Sequence, residues 1–326
     1  MTGERGTGET DDRLELLGQV AAWYYEDDLD QSAIASRIGK SRSMVSRLLR
    51  EARDLGLVEI RVRFPLRTDP DLEAALIDRF GLRDVRVLST AGLDHESMVR
   101  RLGRLGSRVI QSKLHSGMSV TIGWGASLHA VVRALPEIRL DDVMVLQAMG
   151  SVGDGDPSVD GLELARALAS KLNGDFRSLA APVVVDREET ARSLLSERTI
   201  ATTLELAAAA ELCLTGIGTI DSELSGLVRA GFFSDGQIEV LKELGIVGDL
   251  MGFLLDARGR VVDLPENRRV VALPPDRITG ETVAVAGGAA KASAMRAMVS
   301  WKSALKGRPA KRPSMAATMS SSRTKP

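Results

Sequence analysis

The sequence predicts an α/β protein, in which an N-terminal helix-turn-helix domain with a wing precedes a Rossmann-like domain built on a parallel sheet. Two patterns predict this fold. Residues 31–53, QSAIASRIGKSRSMVSRLLREAR, have the apolar spacing of two short helices joined by a tight turn. From about residue 65 to residue 301, short apolar segments alternate with amphipathic ones, which is typical of a parallel sheet covered by helices on both faces.

Composition sets the predicted domain boundaries. Residues 1–11 are polar and contain three glycines, and we expect them to be disordered. The helix-turn-helix domain is expected at 12–64 and the α/β domain at 65–301, because prolines interrupt the pattern between them. Residues 302–326 hold seven basic side chains, no acidic one and three prolines, which predicts a basic, disordered tail.

The local signals of a helix-turn-helix stand at the required places within residues 31–53. Ala35 is small where two helices cross closely, Gly39 suits the end of a helix, and Ser41 is a good N-cap for the second helix. Residues 57–63 then alternate apolar and polar side chains, which predicts a strand that forms the wing. Together these signals favour a DNA-reading motif.

The same region is basic. Residues 31–64 carry eight basic and three acidic side chains, a net charge of +5 in a chain whose formal total is −1. Local charge of this kind supplies the attraction to phosphates in double-stranded DNA. The candidate contacts are Arg42, Ser43, Ser46 and Arg47 for base edges and Lys40 and Arg50 for phosphates. The alternative is an ordinary helical hairpin with a solvated basic face.

The remaining elements follow from the same two periodicities. A helix at 12–26 is expected to pack behind the helix-turn-helix. In the second domain the predicted strands are 85–88, 119–123, 143–147, 179–185, 211–216, 269–273 and 282–286, with a hairpin at 251–255 and 260–262. The predicted helices are 72–80, 95–114, 127–134, 159–172, 188–195, 200–209, 234–244 and 289–305.

Three glycine-containing segments lie next to predicted strands, where ligands bind in open parallel sheets. They are 122–127 (IGWGAS), 245–252 (GIVGDLMG) and 285–291 (VAGGAAK). Glycine lets a ligand approach the backbone, and a helix N-terminus offers free N–H groups that suit a phosphate. The plain alternatives are a structural turn, an aspartate that caps its own turn, and a solvated helix lysine. Neither a P-loop lysine nor full dinucleotide spacing is present, so no nucleotide cofactor is expected.

These motifs, in this order, resemble the SorC family of bacterial sugar-sensing transcriptional regulators. After the helix-turn-helix come GWGAS (123–127), GIG (216–218), VGDLMGFLLDARG (247–259) and VAGGAAK (285–291). The likeness covers roughly residues 12–300. It implies a second domain that has the fold of sugar-phosphate isomerases, binds a phosphorylated sugar or polyol as effector, and thereby changes the affinity for an operator.

The resemblance also implies the effector-binding residues. Those expected at the phosphate are Gly125, Ala126, Ser127 and Lys291, and those expected at the sugar are Asp249, Gln147 and Arg229. The chain departs from the family pattern at two places. Position 126 is alanine where members often have threonine, and the final strand and helix of the family are expected to be absent or replaced after Met295.

Composition limits the other functions. The single cysteine, Cys213, excludes a disulfide framework, and the three histidines do not stand at metal-ligand spacing, so no metal is expected. No apolar run is long enough to span a membrane and the N-terminus does not resemble a signal peptide, which predicts a cytoplasmic protein.

The predicted function is therefore that of a regulator, not an enzyme, with operator DNA and a sugar phosphate as partners and a homodimer or homotetramer as its assembly. One alternative is a DNA-binding protein whose α/β domain serves only in oligomerisation. The other is an enzyme related to sugar-phosphate isomerases, which is less expected because no acid–base pair stands out near Gly125 or Lys291.

Overall fold

The computed structural model describes residues 7–58, 65–153, 156–221, 223–297 and 314–318. Contacts between residues divide the chain into two compact units, Met1–Pro65 and Leu66–Pro326. The first unit is helical, and the second contains every described strand.

The N-terminal unit holds three helices: α1 (Thr7–Tyr25), α2 (Gln31–Ile38) and α3 (Arg42–Asp54). Asp30 caps α2 by accepting the N–H groups of residues 32 and 33, and Gly39 ends the helix in the left-handed region at φ +63°. Ser41 caps α3 by accepting the N–H of Met44 at 3.3 Å. The turn between the two helices is therefore specified by local side chains.

The three helices share one core. Val20 of α1, Ile34 of α2 and Val45 of α3 are completely buried together. At the surface, the guanidinium of Arg13 in α1 binds the carboxylate of Glu51 in α3, at 2.5 and 3.2 Å. The predicted helical pair and its supporting helix are thus present as packed elements.

Two predictions about this unit are affected. Disorder was expected over residues 1–11, but α1 begins at Thr7. The predicted wing strand falls largely on residues 59–64, which lie outside the described residues, and residues 57 and 58 are not in a strand.

The second unit is an α/β fold. Its strands are β1 (Asp84–Leu88), β2 (Ser119–Ile122), β3 (Met144–Gln147), β4 (Asp175–Arg177), β5 (Leu212–Gly216), β6 (Ile246–Leu250), β7 (Phe253–Asp256), β8 (Glu281–Gly287) and β9 (Ser314–Thr318). Its helices are α4 (Pro70–Phe80), α5 (His95–Gln111), α6 (Ala126–Ala134), α7 (Gly161–Leu172), α8 (Glu188–Ser196), α9 (Arg198–Ala209), α10 (Gly226–Arg229) and α11 (Asp235–Glu243), followed by a helix at 292–297.

Seven of these strands form one sheet in the order β1-β9-β8-β5-β2-β3-β4, and all of their pairings are parallel. From β2 the chain proceeds to β3 and β4 at one edge, and from β5 it proceeds to β8 and β9 in the opposite direction. The strand order therefore reverses between β2 and β5, where parallel sheets form their ligand crevice. The predicted Rossmann-like parallel sheet is confirmed.

Both faces of the sheet are covered. In β3, Val145 packs into a cluster with α5, α6 and α7, while its neighbour Leu146 packs into a second cluster with α9. Near the β1 edge, Val85 and Ala286 pack with residues of α4. Burial on both faces explains why the strands appeared in the sequence as short, continuous apolar runs.

Some predicted strands differ from the observed ones. The hairpin consists of β6 and β7 and turns at Met251 and Gly252, before the position expected from the sequence. Residues 179–185 and 269–273 do not form regular strands but contribute isolated bridges, such as Val184 with Val270. These segments were predicted as strands from their apolar content alone, and apolar content does not show whether a segment pairs regularly with a neighbouring strand.

The tail differs most. Residues 302–326 were expected to be disordered and the family's final strand absent or replaced, and Ser314–Thr318 forms β9 between β1 and β8. Ser314 pairs with Asp84 on one side and Val283 on the other. The pentapeptide SMAAT lies between prolines and a serine run, so its local sequence has little strand signal. Hydrogen-bonded pairing with a strand on each side stabilises this segment despite its low intrinsic strand propensity.

Candidate functional site

A cavity of about 230 Å³ opens at the C-terminal ends of β2 and β5, at the reversal of strand order. Its lining includes six of the seven residues expected to bind the effector: Gly125, Ala126, Ser127, Arg229, Asp249 and Lys291. The topology brings them together because the loops after adjacent parallel strands meet at one edge of the sheet.

The N-terminus of α6 forms one wall of the cavity. Gly125 takes φ +113°, which favours glycine, and its N–H is bound to the carbonyl of Val159 at 3.0 Å. The helix has no side-chain cap. Within the described residues, no acceptor receives the N–H groups of Ala126, Ser127 or Leu128. Such an end is a ready site for an anion.

Asp249 lies in β6 and is only 4% exposed. Burial raises the pKa of its carboxyl group to about 6, while the N–H of Gly252, at 3.3 Å from Oδ2, and the charge of Lys291 act in the opposite direction. A buried carboxyl group with few partners in the protein can accept hydrogen bonds from ligand hydroxyl groups.

Lys291 ends a short turn, Ala289–Lys291, that follows β8. Burial lowers its pKa, the carboxyl group of Asp249 raises it, and the positive charge of Arg229 lowers it. The segment is held by the hydroxyl of Thr219, which donates to the carbonyl of Ala290 at 3.1 Å. The cavity therefore contains a partly desolvated cation beside a buried carboxyl group.

Two charged side chains stand at the rim. Arg229, at the end of α10, is exposed, and so is Asp156. The pKa of Asp156 is lowered mainly by hydrogen bonds from Ser158, with smaller contributions from His129 and Arg229. Arg229 supplies a second positive charge close to the N-terminus of α6.

Gln147, the seventh predicted effector residue, does not line the cavity. It is completely buried, its amide nitrogen donates to the carbonyl of Met149 at 2.7 Å, and its amide oxygen accepts the N–H of Leu179 at 2.9 Å. Its side chain supports the loops that follow β3 and β4. Sugar contact by Gln147 stays a prediction that this position outside the cavity lining does not support.

Several cavity residues were missed. Trp124, Thr215, Gly218 and Thr219 all line it. A Cβ at Gly226 would lie 3.2 Å from the indole of Trp124, so the ring packs closely on α10. The glycine pair in GIG, directly after β5, was a signal for Gly218 in the sequence, but its spacing did not reveal what it contacts.

The candidate DNA-contacting residues lie on one side of α3. Its inner side is buried through Val45 and residues at helical spacing from it. The predicted contacts Lys40, Arg42, Ser43, Arg47 and Arg50 are exposed, and Ser46 is half-buried. Ser43, Ser46, Arg47 and Arg50 follow helical spacing of three and four, so they form a continuous polar face.

Two further observations concern the described part of the chain. It contains no group of three or more histidine, cysteine, aspartate or glutamate residues that could hold a metal ion. None of the helices described is long and apolar enough to cross a membrane.

Comparison with known proteins agrees with this architecture. Residues 65–305 match the family model described as "Putative sugar-binding domain". The chain is 31% identical over 299 residues to the transcriptional regulator LsrR of Enterobacter sp. strain 638, covering 90% of this chain and 88% of that protein. It is 27% identical over 293 residues to the deoxyribonucleoside regulator of Bacillus subtilis, covering 89% and 93%.

Among solved structures, the full-length sorbitol operon regulator SorC of Klebsiella pneumoniae has the same fold, with a TM-score of 0.65 at 21% identity, covering 94% of this chain and 97% of that one. The fold and the matches define the class of transcriptional regulators that carry a sugar-binding α/β domain. Within that class, the chain belongs to the SorC family.

Proposed function

We propose that the protein is a DNA-binding transcriptional regulator of carbohydrate or polyol metabolism whose operator affinity is controlled by a phosphorylated sugar. The three relatives named above are all regulators; among them are a deoxyribonucleoside regulator and a sorbitol operon regulator. This supports regulation, not catalysis, as the role of the chain.

The phosphate is assigned to the N-terminus of α6. This assignment depends on one observation: the uncapped first turn of α6, whose residues Ala126 and Ser127 line a cavity holding two cationic side chains. A phosphate accepts several N–H bonds and gains from the positive end of the helix dipole. Lys291 and Arg229 add charge-assisted contacts.

The sugar hydroxyl groups are assigned to Asp249. Its carboxyl group is buried in the same cavity and, among the described residues, receives one long hydrogen bond, from the N–H of Gly252. A site with a fixed anion-binding end and a fixed acceptor end discriminates phosphorylated polyhydroxy compounds from free sugars and from inorganic phosphate, since each of those satisfies one end only.

The output is assigned to α3. Arg42, Ser43, Ser46 and Arg47 would contact base edges and Lys40 and Arg50 phosphates, with α3 in the major groove. A homodimer or homotetramer would present two such helices to a pseudo-palindromic operator. Effector binding changes operator affinity by favouring one arrangement of the subunits, and the operator changes effector affinity by the same factor.

The test is operator binding measured by fluorescence anisotropy, with DNA from upstream of the protein's own gene. Ribose 5-phosphate, glucose 6-phosphate, sorbitol 6-phosphate and their unphosphorylated forms are the effectors tried. We expect at least one phosphorylated compound to change operator affinity about fivefold or more, and its unphosphorylated form to have no effect.

Lys291→Ala is the matched variant, with Lys242→Ala as control, because Lys242 lies on the surface and binds Glu239. Lys291→Ala is expected to weaken effector binding about tenfold to a hundredfold, the value of a charged hydrogen bond. DNA binding without any response to phosphorylated compounds would instead favour the effector-insensitive oligomerisation domain.

A further inference from the structure

Two residues from different segments of the cavity wall meet backbone to backbone. Gly218 follows β5, and Asp249 lies in β6. The N–H of Gly218 donates to the carbonyl of Asp249 at 2.9 Å, and the N–H of Asp249 points back to the carbonyl of Gly218 at 3.4 Å. This exchange resembles one hydrogen-bonded pair of an antiparallel ladder. It joins the central sheet to the β6–β7 hairpin at the floor of the cavity.

Position 218 has no room for a side chain. A Cβ built there would meet the carboxyl group of Asp249 first, with Oδ2 at 2.9 Å and Cγ and Oδ1 closer still. The backbone of Gly218 is not in the left-handed region. Glycine is therefore required here by space and not by conformation, and the space that it leaves is filled by the carboxyl group.

The neighbouring residues complete the arrangement. Thr219 is bonded to the carbonyl of Ala290, next to Lys291. A Cβ at Gly248 would lie 2.5 Å from the carbonyl oxygen of Gly218, so the hairpin lies close against this segment at Gly248 as well as at Asp249. Residues 218 and 219 thus fix the position of the hairpin that carries Asp249 relative to the turn that carries Lys291.

We propose that Gly218 is a positioning residue for the effector site: the space at its Cα keeps the Asp249 carboxyl group buried in the cavity and facing the ligand. The inference rests on the proposed function for the identity of the ligand, but not for the geometry. Any side chain at position 218 would push the carboxyl group from its place. Effector affinity and its pH dependence therefore depend on Gly218, although this residue has no side chain that could contact the effector.

The pKa of Asp249 shows whether its carboxyl group is in the buried position. In place, its carboxyl group has a pKa of about 6 because it is buried. The charged or titratable groups around it are Lys291, Arg229, Asp156 and, beyond them, His129. Displaced toward solvent, the carboxyl group would regain an ordinary aspartate pKa.

The first experiment is a double-mutant cycle on urea unfolding of the whole chain, with Gly218→Ala, Asp249→Ala and both together. Gly236→Ala is the control, because a Cβ at Gly236, in α11, meets nothing within 4 Å. Gly218→Ala is expected to destabilise the protein, and Asp249→Ala to remove most of that effect because the clashing atoms are gone. An equal cost in both backgrounds overturns the proposal. If Gly218→Ala does not fold, folding of the double variant supports the proposal, and failure of the double variant alongside a folded Asp249→Ala overturns it.

The second experiment titrates the aspartate carboxyl carbons by ¹³C NMR without ligand, with Asp249→Asn to assign the signal. We expect Asp249 to titrate near pH 6 in the parent protein and more than about one pH unit lower in Gly218→Ala. An unchanged titration overturns the proposal.

The third experiment binds ribose 5-phosphate or glucose 6-phosphate between pH 5 and pH 8. The ligand phosphate also titrates near pH 6, so Asp249→Asn supplies the profile of the ligand alone. The parent profile should show an additional fall in affinity below pH 6, absent from Gly218→Ala. If neither of these compounds nor sorbitol 6-phosphate binds, the proposed function fails, while the two ligand-free experiments still decide the role of Gly218.

Discussion

The two candidate binding surfaces of this protein are built in opposite ways. On α3 the functional side chains are exposed, and the helix is fixed by caps and by a core on its other face. In the cavity, most of the candidate groups are withdrawn from solvent: a carboxyl group that is 4% exposed, a partly desolvated lysine and an uncapped helix N-terminus, with only Arg229 exposed at the rim. A long polyanion is met by solvated charge, whereas a small ligand needs groups that are already desolvated and in place.

This contrast predicts where stability and function separate. In the α/β unit, the site depends on sheet topology and on close approach of glycines, so distant changes should disturb it. In the N-terminal unit the core and the contact face are different sides of one helix, so contact residues can be changed without loss of folding. Three variants test the contrast.

The largest effect is expected from removing β9. Deleting residues 314–326 takes away the strand between β1 and β8, whose backbone bonds contribute about 1 kcal/mol each, so we expect a loss on the order of 5 kcal/mol. Deleting only 319–326 is the control. Hydrogen exchange should locate the loss in the sheet and leave α1–α3 protected, because these helices have a hydrophobic core of their own. Loss of protection in both units would contradict the separation.

The next effect concerns Asp249 and pH. Its folded-state pKa, about 6, lies above the ordinary value of 3.8, so the folded chain binds more protons than the unfolded chain between these values. Stability should therefore fall as pH rises from about 4 to about 6, by about 3 kcal/mol at about 1.4 kcal/mol per pKa unit. Urea unfolding of the parent and Asp249→Asn at several pH values measures it. An identical pH dependence in both proteins would exclude Asp249 as the source.

A smaller effect is expected from Arg47→Ala. It should cost about 1–3 kcal/mol of operator binding and relax base preference at one position of each half-site. Effector affinity and thermal stability should not change, because Arg47 is exposed. Arg192→Ala is the matched control, since Arg192 is an exposed helix arginine of the other unit. Equal operator binding by the two variants would remove Arg47 from the DNA face.

The same contrast explains how much the sequence predicted. The helical pair of the predicted helix-turn-helix was found from the sequence because Gly39 and Ser41 act within a few residues of their own position. The parallel sheet was predicted because two-sided burial makes continuous apolar runs. Local signals were sufficient in both cases.

Long-range geometry escaped the sequence. The strand character of Ser314–Thr318 depends on partners more than 25 residues away. Gln147 was assigned to the sugar by resemblance, yet its amide binds the backbone of nearby Met149 and of Leu179, which is 32 residues away. The need for glycine at 218 depends on a carboxyl group from another segment, which no motif records.

In the proposed function, a sugar phosphate bound in the cavity changes the affinity of α3 for operator DNA. The most direct measurement is a linkage cycle: the affinity of the responding sugar phosphate for the free protein and for the operator complex, beside operator affinity with and without that compound. We expect the operator to change effector affinity by the same factor by which the effector changes operator affinity, and this factor to differ from one. Lys291→Ala should abolish this coupling, while operator binding without effector persists. Operator binding that no sugar phosphate alters, in a protein that binds the compound, would contradict it.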